Sequence, residues 1–129
     1  MTKYYPLLAT LAWLAAAPGA NSTGKSDDWA PNPERGRKAY DSCLACHTAS
    51  PTGPMGPDLR GVMGRSAGKV AGFRYSRALK NSRIVWNEAT LGAFLADPQS
   101  SVPGNLMPYP GLPDEAARRD LIAFLKTLQ

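Results

Sequence analysis

Helix start signals and apolar residues at helical spacing mark three parts of the chain. Asn32-Pro33-Glu34 combines an N-cap residue, a proline at the first helical position and an acid near the positive helix end, which predicts a helix over residues 33–44. Asn87-Glu88 opens a second helix, with Leu91, Phe94 and Leu95 on one face and Asp97-Pro98 closing it. Asp114 starts a third, in which Leu121, Ile122, Phe124, Leu125 and Leu128 share an apolar face. A shorter helix is expected around residues 76–81. Between these lie two stretches that proline and glycine keep irregular. Residues 48–72 carry Pro51, Gly53, Pro54, Gly56, Pro57, Gly61, Gly64, Gly68 and Gly72, and residues 98–113 carry Pro98, Pro103, Gly104, Pro108, Pro110, Gly111 and Pro113. No strand-length alternation and no internal repeat appear. The reading is all-α, with three to four helices and two long loops. A domain of about a hundred residues with such loops packs poorly alone, so something large and apolar is expected to fill the middle.

The first twenty residues read differently. Lys3 gives a short positive start, Leu7 to Ala17 an apolar run, and Ala17, Gly19 and Ala20 a small-residue end. That is the layout of a secretory signal peptide, and the run is too short to span a bilayer. Cleavage is expected between Ala17 and Ala20, although Pro18 spoils the cleanest small-x-small match. The expected organisation is a signal peptide at 1–20, a polar flexible lead at 21–31 and one domain at 32–129. Export to the periplasm follows, with no stable membrane span after processing.

Composition narrows the function classes. With 43% hydrophobic and 19% charged residues the chain is neither disordered nor a polytopic membrane protein. Its formal net charge of +5 is too mild for a dedicated nucleic-acid binder. Two cysteines cannot build a disulfide scaffold, and one histidine cannot build a histidine-rich metal site.

Those two cysteines and the one histidine stand together as Cys43-Leu44-Ala45-Cys46-His47, the C-x-x-C-H attachment motif of c-type haem. Two thiols three positions apart can form thioethers to the vinyl groups on one porphyrin edge. The next residue then brings an imidazole under the iron. A Cys43–Cys46 disulfide, a thioredoxin-type redox pair and a zinc site are the alternatives. The first leaves His47 unexplained, the second lacks its βαβ context, and the third lacks a fourth ligand. With no second histidine, a methionine is the expected sixth ligand. Met55 and Met63 lie close after His47, whereas Met107 lies sixty residues on, in the stiff Pro/Gly loop that can cross to the opposite face. Met107 is therefore the choice, with Met63 expected in the core and Met55 in a loop contact.

The residues around these ligands give the chain a plain resemblance to the class I cytochromes c, over nearly all of residues 33–128. Gly56-Pro57-Asp58-Leu59-Arg60-Gly61 resembles the family's Gly-Pro-x-Leu-x-Gly segment, Gly64-Arg65 its Gly-Arg pair, and Gly72-Phe73-x-Tyr75-Ser76 its propionate-binding tyrosine segment. Trp86 after Ile84-Val85 matches the propionate-binding tryptophan, and Pro103-Gly104-x-x-Met107 the methionine loop. The Asp120–Leu125 segment resembles the C-terminal helix, which crosses the N-terminal one where Gly36 and Tyr40 stand. The resemblance implies a class I cytochrome c fold wrapped around one covalent haem c. It also implies that the Pro57 carbonyl orients His47 and that Arg65, Tyr75 and Trp86 meet the haem propionates.

Three departures from the family pattern carry expectations. Phe94 stands where a tyrosine is common and Leu79 where an asparagine is common, which implies a smaller, drier hydrogen-bond network and a changed potential. Residues 35–83 hold ten basic residues against two acids, whereas the methionine loop, 98–113, holds no charge. Where mitochondrial relatives place lysines, this chain offers Leu106, Pro108, Tyr109 and Pro110. Docking at the haem edge is thus expected to be largely apolar.

The implied function is one-electron transfer between redox proteins, without enzyme activity. A dehydrogenase or reductase complex would be the donor and an oxidase or reductase the acceptor, and the free carrier would be a monomer. An electron-accepting subunit of an exported dehydrogenase or oxidase is the alternative. A ligand sensor or peroxidase, in which Met107 dissociates, is a third.

Overall fold

Asn32 begins the first helix as its sequence suggests. Its side chain accepts from the backbone N–H of Glu34 at 2.8 Å and of Arg35 at 3.1 Å, which satisfies two orphan donors of α1 (Pro33–Tyr40). The computed structural model describes Met1, residues 29–47 and residues 55–129. The rest of the expected signal peptide and residues 21–28 of the expected lead lie outside the described residues. Residues 29–31 contact the domain: Arg35 donates to the Ala30 carbonyl, and the Arg119 guanidinium sits 6.0 Å from the Trp29 ring centroid.

The first helix ends at Tyr40, four residues before the expected boundary at 44. The chain keeps turning, but more tightly. Asp41 N–H bonds the Lys38 carbonyl, Cys43 N–H that of Tyr40, and Cys46 N–H that of Cys43. These three-residue bonds replace the four-residue ladder and swing both cysteines round.

Ser76 caps α2 (Arg77–Asn81), and Asn87 with Thr90 forms a capping box at the start of α3 (Glu88–Ala96). Asp114 caps α5 (Glu115–Leu125). One element was not expected: residues 98–101 of the second loop form a single helical turn, α4 (Pro98–Ser101). Asp97, which closes α3, also caps this turn by accepting from Ser100 N–H at 3.0 Å, and Pro98 sits at its first position. A stop signal for one helix is here the start signal of the next. Among the described residues there is no strand, only an isolated antiparallel bridge between Ser66 and Val85. The bonds Gly64 N–H to Trp86 O, Ala67 N–H to Ile84 O and Trp86 N–H to Arg65 O tie the first loop to the segment before α3.

The tightest packing is the crossing of α1 on α5. A Cβ at Gly36 would lie 1.9 Å from the Asp120 carbonyl oxygen, so only glycine allows this approach. The rings of Tyr40 and Phe124 meet 5.1 Å apart on the same crossing. Asp120 is only 7% exposed, and its carboxylate accepts from Arg35 Nε at 2.6 Å, Arg35 Nη2 at 3.1 Å and Asn32 N–H at 2.7 Å. Burial works to raise its pKa, but these donors and the charge of Arg119 outweigh it and hold the carboxyl below its ordinary value. Leu121, Ile122 and Leu125 of α5 pack with Leu91, Phe94 and Leu95 of α3 to continue the core.

Two outcomes follow from this crossing. Gly36→Ala forces the helices apart and should cost about 3 kcal/mol or more in denaturant unfolding of the holoprotein; a loss below about 1 kcal/mol would contradict the close approach. Asp120→Asn should cost about 2 kcal/mol at neutral pH. Because the folded pKa is depressed, that stabilisation is present above the unfolded carboxylate pKa and fades as pH falls through the folded one. Unfolding curves of the two proteins should therefore converge in acid.

Candidate functional site

The helices and loops enclose an open cleft with an empty volume of about 1360 Å³, mouth included. Cys43, Cys46, His47, Pro57, Arg65, Tyr75, Trp86 and Met107, the eight residues singled out from the sequence, all line it. Met63 instead packs against the hydrophobic core, and Met55 is 62% exposed.

The turn after α1 carries the two cysteines and His47. Both thiols are free rather than joined, and burial pushes that of Cys43 up. His47 N–H bonds back to the Cys43 carbonyl at 2.8 Å, which fixes its backbone to the cysteine turn. Its ring Nδ1 lies 2.8 Å from the Pro57 carbonyl. A carbonyl can only accept, so Nδ1 carries the proton and Nε2 keeps a free lone pair. Burial lowers the imidazole pKa and the Pro57 bond partly offsets it; the net shift favours the neutral ring, the form that binds metal. Gly56 makes room for this contact: a Cβ there would lie 2.7 Å from two atoms of the His47 ring.

Arg65 holds the same loop from the other side. Its guanidinium donates to the Arg60 and Asp58 carbonyls, each at 2.9 Å, so the main chain next to Pro57 is pinned. Beside it, Tyr75 is pushed up in pKa by burial, against a pull from Val70 and from the Arg65 charge. Phe73 meets the Tyr75 ring edge-on at 4.8 Å. Trp86 is buried and packs on Phe94 at 5.1 Å. Leu59, Val62, Leu79, Leu91, Phe94, Leu95, Leu121 and Leu125 complete apolar walls. Phe94 and Leu79, the two departures from the family pattern, bring no polar group to the cleft.

One polar residue in the lining went unread in the sequence. Asn105 occupies an unspecified position of the Pro103-Gly104-x-x-Met107 segment, yet it is buried and its side-chain oxygen accepts from Met107 N–H at 2.9 Å. Its partners come from α4, an element that the proline content of the loop hid.

These residues suit a haem. The walls are apolar, a guanidinium and a phenol stand at one side, and thiols, an imidazole and a thioether open onto one space. Among the described residues no group of three or more His, Cys, Asp or Glu side chains is arranged to hold a bare metal ion, so the zinc alternative lacks a site. No helix among them is long and apolar enough to cross a membrane.

Comparison with known proteins agrees with this geometry. The cytochrome c family model matches residues 33–129. The chain is 45% identical over 96 residues to cytochrome c2 of Rhodoblastus acidophilus, covering 73% of this chain and 90% of that one. It is 46% identical over 94 residues to cytochrome c of Tetrahymena pyriformis, covering 72% and 85%. Among solved structures, cytochrome cH from Methylobacterium extorquens superposes with a TM-score of 0.72 at 42% identity, over 74% of this chain and 98% of that one. The chain belongs to the cytochrome c family, with the class I fold. The cofactor inferred from the C-x-x-C-H motif, one covalent haem c, is that of the family.

Proposed function

We propose that this cytochrome c is a one-electron carrier acting in the periplasm, with Cys43 and Cys46 as thioether anchors and His47 and Met107 as the axial ligands of its haem iron. One observation carries the ligand assignment: the only histidine, with Nδ1 occupied by Pro57, and the only methionine of the Pro/Gly loop line the same cleft. The bound haem supplies a ferric/ferrous couple. The chain supplies the rest. Pro57 orients the imidazole and raises its basicity. Met107 offers a soft thioether that favours the reduced state. Arg65, Tyr75 and Trp86 pair the propionates, which would be costly to bury alone. Apolar walls keep water from reorganising around the cofactor. With both axial positions held by protein, no open site remains for substrate, and the chain is not itself an enzyme.

Export rests on the N-terminal 1–20 segment, followed by the lead at 21–31 and the domain at 32–129. The partners are redox proteins, a donor dehydrogenase or reductase and an acceptor oxidase or reductase, and the free carrier is a monomer. The methionine loop has no charged side chain, and Leu106 on it is 79% exposed. The partner surface that meets it is therefore largely uncharged, with basic residues of 35–83 steering from outside. That same exposed leucine favours, as a second reading, permanent residence in an exported dehydrogenase or oxidase complex.

Met107→Ala in the holoprotein should abolish the far-red sulfur-to-iron charge-transfer band of the ferric state and lower the midpoint potential by on the order of 0.1 V. Unchanged spectra and midpoint would remove Met107 as ligand. Edge charge is read by oxidising the ferrous protein with ferricyanide and, separately, with a tricationic cobalt complex. Between ionic strengths of about 0.1 and 0.5 M each rate should change less than about twofold. A steep fall with ferricyanide and a steep rise with the cation would place charge at the edge after all.

A further inference from the structure

We propose that Asn105 is the positioning residue for Met107, a staple that fastens the ligand's own backbone to the end of α4. The proposal rests on the axial-ligand reading above and adds what keeps the sulfur in place.

Asn105 is 4% exposed, so its polar atoms need partners within the protein. Its amide nitrogen donates to the Pro98 carbonyl at 2.8 Å and to the Val102 carbonyl at 2.9 Å. Pro98 opens the one-turn helix and Val102 is its C-cap; their carbonyls also accept from Val102 N–H at 2.9 Å and Asn105 N–H at 3.1 Å, so the side-chain amide adds a second bond at each. Its amide oxygen accepts from Met107 N–H at 2.9 Å. Both donors and the acceptor of one side chain are thus used, one on α4, one on its C-cap residue Val102 and one on the methionine. Gln99 braces the same spot: its Nε2 donates to the Asn105 carbonyl at 3.0 Å and its Oε1 accepts from Gly104 N–H at 3.4 Å.

Besides the Asn105 bond, Met107 packs against the core and its carbonyl accepts from Tyr109 N–H at 2.9 Å, a contact within the loop that ties it to no other element. Pro108 and Pro110 have no N–H to donate, and Leu106 is exposed and anchors nothing by packing. The next fixed point downstream is Leu112, whose N–H bonds the Leu95 carbonyl at 2.7 Å and whose carbonyl accepts from Arg118. Met107 therefore sits on a span that proline stiffens, Arg118 and α3 fasten at one end, and Asn105 fastens at the other. Cutting the staple leaves the loop stiff but frees the end nearest the sulfur.

The test is competition for the iron in the ferric holoprotein. Imidazole is titrated in and its binding followed in the Soret band. Asn105→Ala should keep the charge-transfer band without imidazole yet bind imidazole about tenfold more tightly, the worth of about one lost hydrogen bond. Asn105→Ser, whose hydroxyl can accept from the N–H two residues on, should fall between the two. Ile122→Val, a core change on α5, reports loss of stability alone and should leave the affinity within about twofold. In a Met107→Ala background, Asn105→Ala should have no effect. Unchanged imidazole affinity in Asn105→Ala overturns the staple. So does an equal rise in Ile122→Val or in the Met107→Ala background. A wild-type ferric spectrum without the charge-transfer band has a different meaning: it overturns the ligand assignment and the staple falls with it.

Discussion

A domain this small ordinarily closes its apolar side chains on one another, and here many of them also line a cleft that suits a haem. Leu79, Leu91, Phe94, Leu95, Trp86, Leu121 and Leu125 each turn a surface to the cleft. The folded state is therefore coupled to what fills the cleft, because a ligand bound only by the native chain shifts the folding equilibrium toward it. Covalent attachment removes even the concentration dependence of that coupling. The crossing of α1 on α5 is a tight contact made by the chain alone. It is built from Gly36, Tyr40, Phe124 and the buried Asp120.

At His47 a single line of contacts runs from a cation to the imidazole. Arg65 holds the Asp58 and Arg60 carbonyls, Asp58 follows Pro57, and the Pro57 carbonyl holds His47 Nδ1. Arg65 thus shapes the histidine's environment through the main chain whatever else its free donors meet. Around Met107 the arrangement is different. No charge lies in the methionine loop, and proline stiffness with neutral amide bonds does the holding. His47 is thus held through a cation bonded to main-chain carbonyls, and Met107 through neutral amide bonds and proline stiffness.

What was legible in the sequence followed from local chemistry. Asn32, Ser76, Asn87 and Asp114 cap their helices through bonds only two or three residues long, and such signals survive without tertiary context. The C-x-x-C-H motif is equally local. What escaped the sequence depends on partners that cannot be seen along it. The end of α1 at Tyr40 is set by tight turns that aim the cysteines at the cleft. Asp97 reads as a terminator but serves two helices at once. Asn105 reads as a loop residue, and its role exists only because a helical turn places the Pro98 and Val102 carbonyls around it.

The seat of Gly36 on α5 bears on the order in which the molecule is assembled. Arg35 and Asp120 are 85 positions apart, so the pairing that locks the two helices waits until the last helix has been made. Until then the turn that carries Cys43 and Cys46 follows a helix whose packing partner is not yet in place.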